Sequence, residues 1–267
     1  GDVLTYTKES GPSWLNIASN GDLSGTPTPI DLGKNTFTIS VSDGEASPIQ
    51  TTLYIQVYAQ KIPASHWTLD DGQGSTAADV TGNGNAGLLV NHPKWTTVGA
   101  AGGALVFDSL NDHIDFGNGP SLDGPIDFAV SAWIKTSASV DQRIIEQRDD
   151  SDQGYVGEYS LGVYANGTVG FFIYNNGFQF PSETIYTTTT VNDGQWHHVV
   201  AVRAGTEGYI YIDGNPIPEA SGSGPVKDLR SELRVKLGYD ERDNSRYFEG
   251  TMEDVRIYDQ ALVGSKI

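Results

Sequence analysis

Three stretches of this chain set aromatic rings among hydrogen-bonding side chains, away from regular alternation. Arg148 to Tyr159 holds Tyr155 and Tyr159 among acids, and Asn175-Asn176-Gly177-Phe178-Gln179-Phe180 puts two phenylalanines in a Gly/Asn loop. Tyr239 to Tyr247, with Arg242 and Asp243 between them, is the densest of the three. A pyranose ring presents C–H groups that stack on aromatic faces, while Arg, Asn and Asp take its hydroxyls. Arg148, Tyr155, Tyr159, Phe178, Tyr239, Arg242, Asp243 and Tyr247 are therefore the expected ligand-binding residues, and a carbohydrate is the expected ligand.

Catalytic readings find less support. There are no cysteines, which excludes thiol catalysis, disulfides and Cys-based metal sites. A sandwich-type glycoside hydrolase needs two glutamates a few residues apart on one strand, and Glu146 is alone on Arg143–Arg148. His197 and His198 fit a structural strand position better than a catalytic dyad. Arg230-Ser231-Glu232-Leu233-Arg234 resembles the first motif of a family of jelly-roll alginate lyases, but the strands such an enzyme needs next have no room after it. The acidic run Asp149-Asp150-Ser151-Asp152, with Glu158 nearby, reads as a solvated rim. Asn166-Gly167-Thr168 matches a glycosylation sequon that a hairpin turn explains fully. The chain is expected to bind without catalysing.

The balance of charge narrows the partners. Thirty-four acids against 16 bases leave a formal charge of −18, which repels phosphate backbones and anionic lipid heads. Nucleic acid and membrane insertion are therefore not expected. No stretch approaches the ~18 apolar residues of a membrane span. The opening Gly1-Asp2-Val3-Leu4 reads as a cut inside a longer polypeptide.

The elements that must position these residues are strands. Hydrophobic residues make up 37% of the chain, enough for a packed core, and glycine is high at 32 residues with methionine at one. Many Thr, Val, Tyr and Ile residues favour short strands joined by tight turns. Phe37, Ile39 and Val41 alternate with polar neighbours, as do Leu53, Ile55 and Val57. Lys61-Ile62-Pro63 reads as a linker. Beyond it, Ala104–Asp108, His113–Phe116, Phe128–Lys135, Arg143–Arg148, Tyr159–Tyr164, Val169–Tyr174, Trp196–Arg203, Gly208–Ile212, Arg234–Leu237 and Asp254–Tyr258 read as strands. Ala165-Asn166-Gly167-Thr168 is a strong hairpin signal. The fold class is all-β: an antiparallel two-sheet jelly-roll sandwich over residues 61–267, preceded by a small β-sandwich over residues 1–60.

Two resemblances sharpen this. Leu4-Thr5-Tyr6, Pro12-Ser13-Trp14-Leu15, Gly21 to Pro27 and Val41-Ser42-Asp43-Gly44 resemble the cadherin-like, immunoglobulin-like modules found in tandem in bacterial surface proteins and dystroglycan. The family's usual first strand is missing, so this module is expected to be truncated at its N-terminus. From Ala64 onward the chain resembles a laminin-G-like, concanavalin-A-like jelly roll of bacterial type. That likeness rests on His66 to Asp71, Ala78 to Gly87, Gly103 to Asp108, Ala132 to Lys135, Gly194 to Val199, Tyr211 to Gly214 and Gly250 to Leu262.

The second resemblance implies a calcium ion tying the first loop to the last strand, with Asp79, Gly82, Asn85 and Asp254 at the matching positions. Calcium takes six to eight oxygen ligands from carboxylates and backbone carbonyls, which a Gly/Asn turn can curl inward. Glu253, on the opposite face of its strand, ranks lower as a ligand. The expectation is thus a calcium-stabilised, non-catalytic carbohydrate-binding module. It would act as a monomer within a multidomain chain, secreted or on a bacterial cell surface. The alternatives are a protein-binding adhesion domain or an accessory module of a polysaccharide-degrading enzyme. Melting with and without chelator, then a glycan array in calcium, separates these readings.

Overall fold

The computed structural model describes residues 3–58, 61–119, 126–148, 158–175, 178–224, 233–240 and 245–262. The chain folds as two compact units, residues 1–60 and 61–267. The first holds strands β1 (Thr5–Ser10), β2 (Asn16–Ile17), β3 (Leu23–Ser24), β4 (Gly33–Ser42) and β5 (Ile49–Val57). Strands β1, β4 and β5 form one antiparallel sheet in that order, and β2 pairs with β3. Phe37 is fully buried on β4 and takes the edge of Trp14 at 5.4 Å. Gly25 sits at φ +138°, and a Cβ there would strike the Trp14 carbonyl, so only glycine closes this turn.

The second unit continues with β6 (Ser65–Trp67), β7 (Thr76–Ala77), β8 (Gly87–Val90), β9 (Lys94–Thr96), β10 (Ala104–Asp108) and β11 (His113–Gly117). Then come β12 (Phe128–Lys135), β13 (Gln142–Gln147), β14 (Glu158–Val163), β15 (Thr168–Asn175) and β16 (Phe178–Thr190). Strands β17 (Trp196–Ala204), β18 (Glu207–Ile212), β19 (Ala220–Ser223), β20 (Val235–Leu237) and β21 (Glu249–Tyr258) complete it. They build two antiparallel eight-stranded sheets, the jelly-roll layout expected. The first runs β19-β18-β17-β12-β21-β10-β9, with β6 also on β21, and the second runs β16-β15-β14-β13-β20-β11-β8-β7.

Between the sheets lies one core, because strand residues alternate between faces. Val130, Ala132 and Ile134 enter it from the first sheet, and Ile145, Leu161, Phe171 and Leu237 from the second. Strand β21 changes partner midway. Its first half pairs with β10, and Val255 to Ile257 pair with β6, so the two ends of the unit are stitched together. The changeover falls at Asp254, whose φ of 52° marks a bulge.

One expected loop is a strand instead. Phe178 starts β16, opposite Asn175 on β15, rather than standing in an irregular loop. The run from Ile185 through Thr190 is rich in β-branched residues, and Pro181 is tolerated because β16 is an edge strand. No helix among the described residues is long and apolar enough to cross a membrane.

Candidate functional site on the outer face of the second sheet

The outer face of the second sheet is lined with charges and aromatic rings where a solvated sheet would carry small polar residues. Residues opposite one another in a ladder share a face. Lys236 faces Asp115 and Glu146, Glu146 faces Ser160, and Ser160 faces Phe172, so one polar row crosses strands β11, β20, β13, β14 and β15. A register shift between Arg143 and Ile145 brings Arg143 onto the same face, opposite Gly162. Gly162 is needed there, since a Cβ would come within 3.1 Å of Arg143 Nη1 and 2.6 Å of the Gln142 carbonyl.

At the centre of this face stands a buried network of ions. Asp240, with no solvent exposure, accepts Arg246 Nη1 at 2.7 Å and lies 3.2 Å from Arg143 Nη2 and 3.6 Å from Arg148 Nη1. Arg143 also faces Glu146 at 3.5 Å, and Arg148 faces Glu158 at 3.4 Å. Phe172 lies under the Arg148 guanidinium, 5.2 Å from it. Glu146 looks isolated in the sequence because the carboxylate that joins it, Glu158, is on the neighbouring strand. The two do share this face, yet each is held by an arginine.

To one side of the network is a groove of about 510 Å³ lined by Asp141, Tyr164, Ala165, Asn166, Thr168, Tyr186 and Thr187. Tyr164 and Tyr186 meet edge to face at 4.8 Å. Gly170 makes this pair possible, because a Cβ would lie close against the Tyr164 ring and 3.0 Å from that of Tyr186. Burial pushes the Tyr164 hydroxyl up to about 12, despite the opposing pull of Arg143. Asn166 turns the β14–β15 hairpin by accepting the Thr168 amide and hydroxyl. In the sequence, Asn166 and Thr168 signal only that hairpin. The other lining residues escape notice there, and the one available signal is a tyrosine at each of two outward strand positions.

On the other side, three rings stack. Tyr239 lies 4.7 Å from His113 and 4.9 Å from Tyr247, nearly parallel to both, with Lys236 Nζ 5.2 Å from its ring. Burial raises the Tyr247 hydroxyl above its ordinary value.

The expected ligand-binding residues divide accordingly. Arg148, Tyr239 and Tyr247 do converge on this face. Tyr239 is sandwiched between rings, which leaves its faces taken, and Arg148 is buried beside Asp240 and Glu158 with its Nε unbonded. Tyr159 is a correction: it alternates inward with Leu161 and Val163, is fully buried, and packs on Phe128 at 5.2 Å. Tyr155, Arg242 and Asp243 lie outside the described residues, as does the side chain of Phe178.

The four expected calcium ligands come from the turn before β8 and from β21, and two of them, Asp79 and Asp254, meet at His66. Asp79 accepts the amides of His66, Thr81 and Asn85 and the Thr81 hydroxyl at 2.7–3.2 Å. Burial works against its charge, but these donors outweigh it and hold the carboxyl below its ordinary value. Asn85 gives its carbonyl to Trp67 Nε1 and its side-chain amide to Ser65. Gly82 supplies the positive φ of the turn. Asp254 meets His66 Nε2 at 2.6 Å, and Arg256 donates to both its oxygens at 2.9 and 2.8 Å. Glu253 turns away and accepts the amides of Ala100 and Ala101.

In this arrangement the carboxylates that calcium would need are engaged by the protein itself. The oxygens are taken by protein donors, and a guanidinium already faces Asp254 where a second cation would sit. Burial raises the Asp254 carboxyl, but the His66 bond and Arg256 outweigh it and leave it lowered. A lowered acid contributes its stability in full above the ordinary carboxylate range, near about pH 4, and loses it as pH falls through the lowered value. Melting in millimolar calcium and in chelator is expected to coincide within about 1 °C. A clear rise with calcium, measured calorimetrically, would mean that these carboxylates release their protein donors for an ion.

His197 and His198 do not form a dyad. Asp213 and Asp193 grip the two ring nitrogens of His197 at 2.9 and 3.1 Å, while His198 packs on Trp133. Burial opposes the charge on His197, yet the two carboxylates raise it above its ordinary value.

Comparison with known proteins gives the fold its relatives. Residues 107–267, more than half the chain, match the model of the concanavalin A-like lectin/glucanases superfamily, and residues 1–58 match a putative Ig domain. Among solved structures, domain 4 of AbnA aligns with a TM-score of 0.59 and 19% identity, covering 78% of this chain and 97% of that one. AbnA is an extracellular GH43 arabinanase from Geobacillus stearothermophilus, and the domain was solved with arabinotriose. The binding domain of Paraclostridial Mosquitocidal Protein 1 aligns with a TM-score of 0.56 and 15% identity, over 74% of this chain and 48% of that one. Adhesion G-protein coupled receptor V1 of Danio rerio is 26% identical over 147 residues, 52% of this chain and only 2% of the receptor.

Proposed function

The chain belongs to the concanavalin A-like lectin/glucanase superfamily, and from that premise we propose that residues 61–267 are a carbohydrate-binding module of a larger extracellular protein, with no catalysis of their own. The observation that carries this reading is the groove beside the ion network. It sets two tyrosine rings among Asp141, Asn166, Thr168 and Thr187, the mixture of apolar faces and hydrogen-bonding groups that a sugar ring requires. The similarity to a domain solved with arabinotriose supports the same class of ligand. Residues 1–58, matching an Ig domain, act as a spacer that orients the module.

Glycan-array binding followed by titration calorimetry tests this. Tyr186 is 48% exposed at a sheet edge, so Tyr186→Ala is expected to fold normally. Losing one aromatic contact of about 1 kcal/mol lowers affinity roughly five-fold. Unchanged affinity in the variant would move the site elsewhere, and a failure to retain any glycan would leave a protein surface as the partner.

A further inference from the structure

The ion network contains donors with nothing to bond. Arg143 is 3% exposed and Arg148 is 6% exposed, yet Arg143 Nε and Nη1 and Arg148 Nε are buried without a hydrogen-bond acceptor. The two Nε atoms lie 3.5 Å from Glu146 and 3.4 Å from Glu158, ion contacts without bonding geometry. An orphaned buried donor costs about 1–3 kcal/mol, more on a charged group, and three of them on one face need a physical reason. One oxygen of Asp240 is shared by Arg143, Arg148 and Arg246, and the three donors stay unbonded beside it. Three guanidinium groups thus converge on one carboxylate oxygen, with Glu146 and Glu158 in ion contact with two of them.

We infer that these donors are a specificity subsite for an anionic substituent, a carboxylate or a sulfate ester, carried by the bound glycan. The inference rests on the carbohydrate-binding reading and narrows it to acidic polysaccharides. An anion offers the acceptors that Arg143 and Arg148 lack. Guanidinium is the group best suited to this, since its planar fork matches carboxylate and sulfate oxygens in pairs. Arg143 links the subsite to the groove: its guanidinium lies 5.8 Å from the Tyr164 ring. A sugar ring held at Tyr164 and Tyr186 therefore has a cationic neighbour a few ångströms away.

The test uses the full 267-residue chain and paired polysaccharides in affinity electrophoresis and calorimetry. Polygalacturonate is set against its methyl ester, carrageenan against its desulfated form, and neutral arabinan and xylan complete the panel. At least one anionic polymer is expected to bind about ten-fold or more tightly than its neutral partner, and the pair that responds tells carboxylate from sulfate. Arg143→Lys keeps the charge but loses the fork, and a further loss of about ten-fold in that variant is expected for the anionic polymer alone. Equal binding of charged and neutral forms overturns the inference and leaves the carbohydrate reading standing. Binding to none of the panel overturns both. Should Arg143→Lys fold poorly, the paired polymers on the unaltered chain still decide the matter.

Discussion

Asp240→Asn is expected to destabilise the larger unit by about 3 kcal/mol, because three guanidinium groups lose the buried carboxylate they share while Arg143 and Arg148 keep only their ion contacts with Glu146 and Glu158. The carboxylate is fully buried and lies within 2.7–3.6 Å of three guanidinium groups contributed by β13, the residue just beyond it, and the segment leading into β21. Asparagine keeps the shape and one acceptor, so the loss reports the charge and not a cavity. For a unit of about 200 residues, such a change lowers the melting temperature by roughly 10 °C. Thermal unfolding followed by near-ultraviolet circular dichroism measures it. A loss under about 1 kcal/mol would show that water screens the arginines, and the face would then be an ordinary solvated surface. The same experiment in a saturating anionic glycan has a further expected result: the difference between the two proteins narrows, because the ligand supplies negative charge to the same guanidinium groups.

Trp67→Ala is expected to cost a similar amount, about 3–5 kcal/mol, by a different route. Trp67 is fully buried, lies 3.8 Å from Phe116 in a stacked pair, and donates Nε1 to the Asn85 carbonyl at 2.7 Å. It sits on β6, the short strand that pairs with the end of β21, so its loss opens a cavity where the two ends of the unit meet. Trp67→Phe separates the contributions: most of the packing stays, and the loss of the bond to the Asn85 carbonyl costs about 1 kcal/mol. Denaturant unfolding of both variants resolves this. If alanine costs no more than phenylalanine, the stack on Phe116 contributes little, and the stitching of the ends depends on backbone pairing and the Asp254–Arg256–His66 cluster alone.

Much of the architecture is legible in the order of residues. Alternation alone places Phe128, Val130, Ala132 and Ile134 on one side of β12, and they line the core. The Asn166-Gly167 turn joins β14 to β15 as its chemistry requires. The exception is instructive. Asn175 to Phe180 looks like a loop because Asn and Gly punctuate it and Pro181 follows, yet an edge strand accepts proline and the β-branched run behind it carries the pairing.

The site is legible only in part. Arg148, Tyr239 and Tyr247 stand out as chemistry-bearing residues and do meet on one face. Tyr159 misleads because it sits next to a polar loop while obeying the alternation of its own strand. Asp79 and Asp254 meet around His66, but the protein's own donors, not a cage of bare oxygens, surround them. What the amino-acid order determines by itself is which residues point inward, since a period of two needs only near neighbours. Which outward charges meet is decided by the tertiary structure. Arg143 reaches Asp240 across about a hundred residues because the order of strands and a one-residue shift in β13 put them on the same face, and the pattern within any one strand carries no record of either.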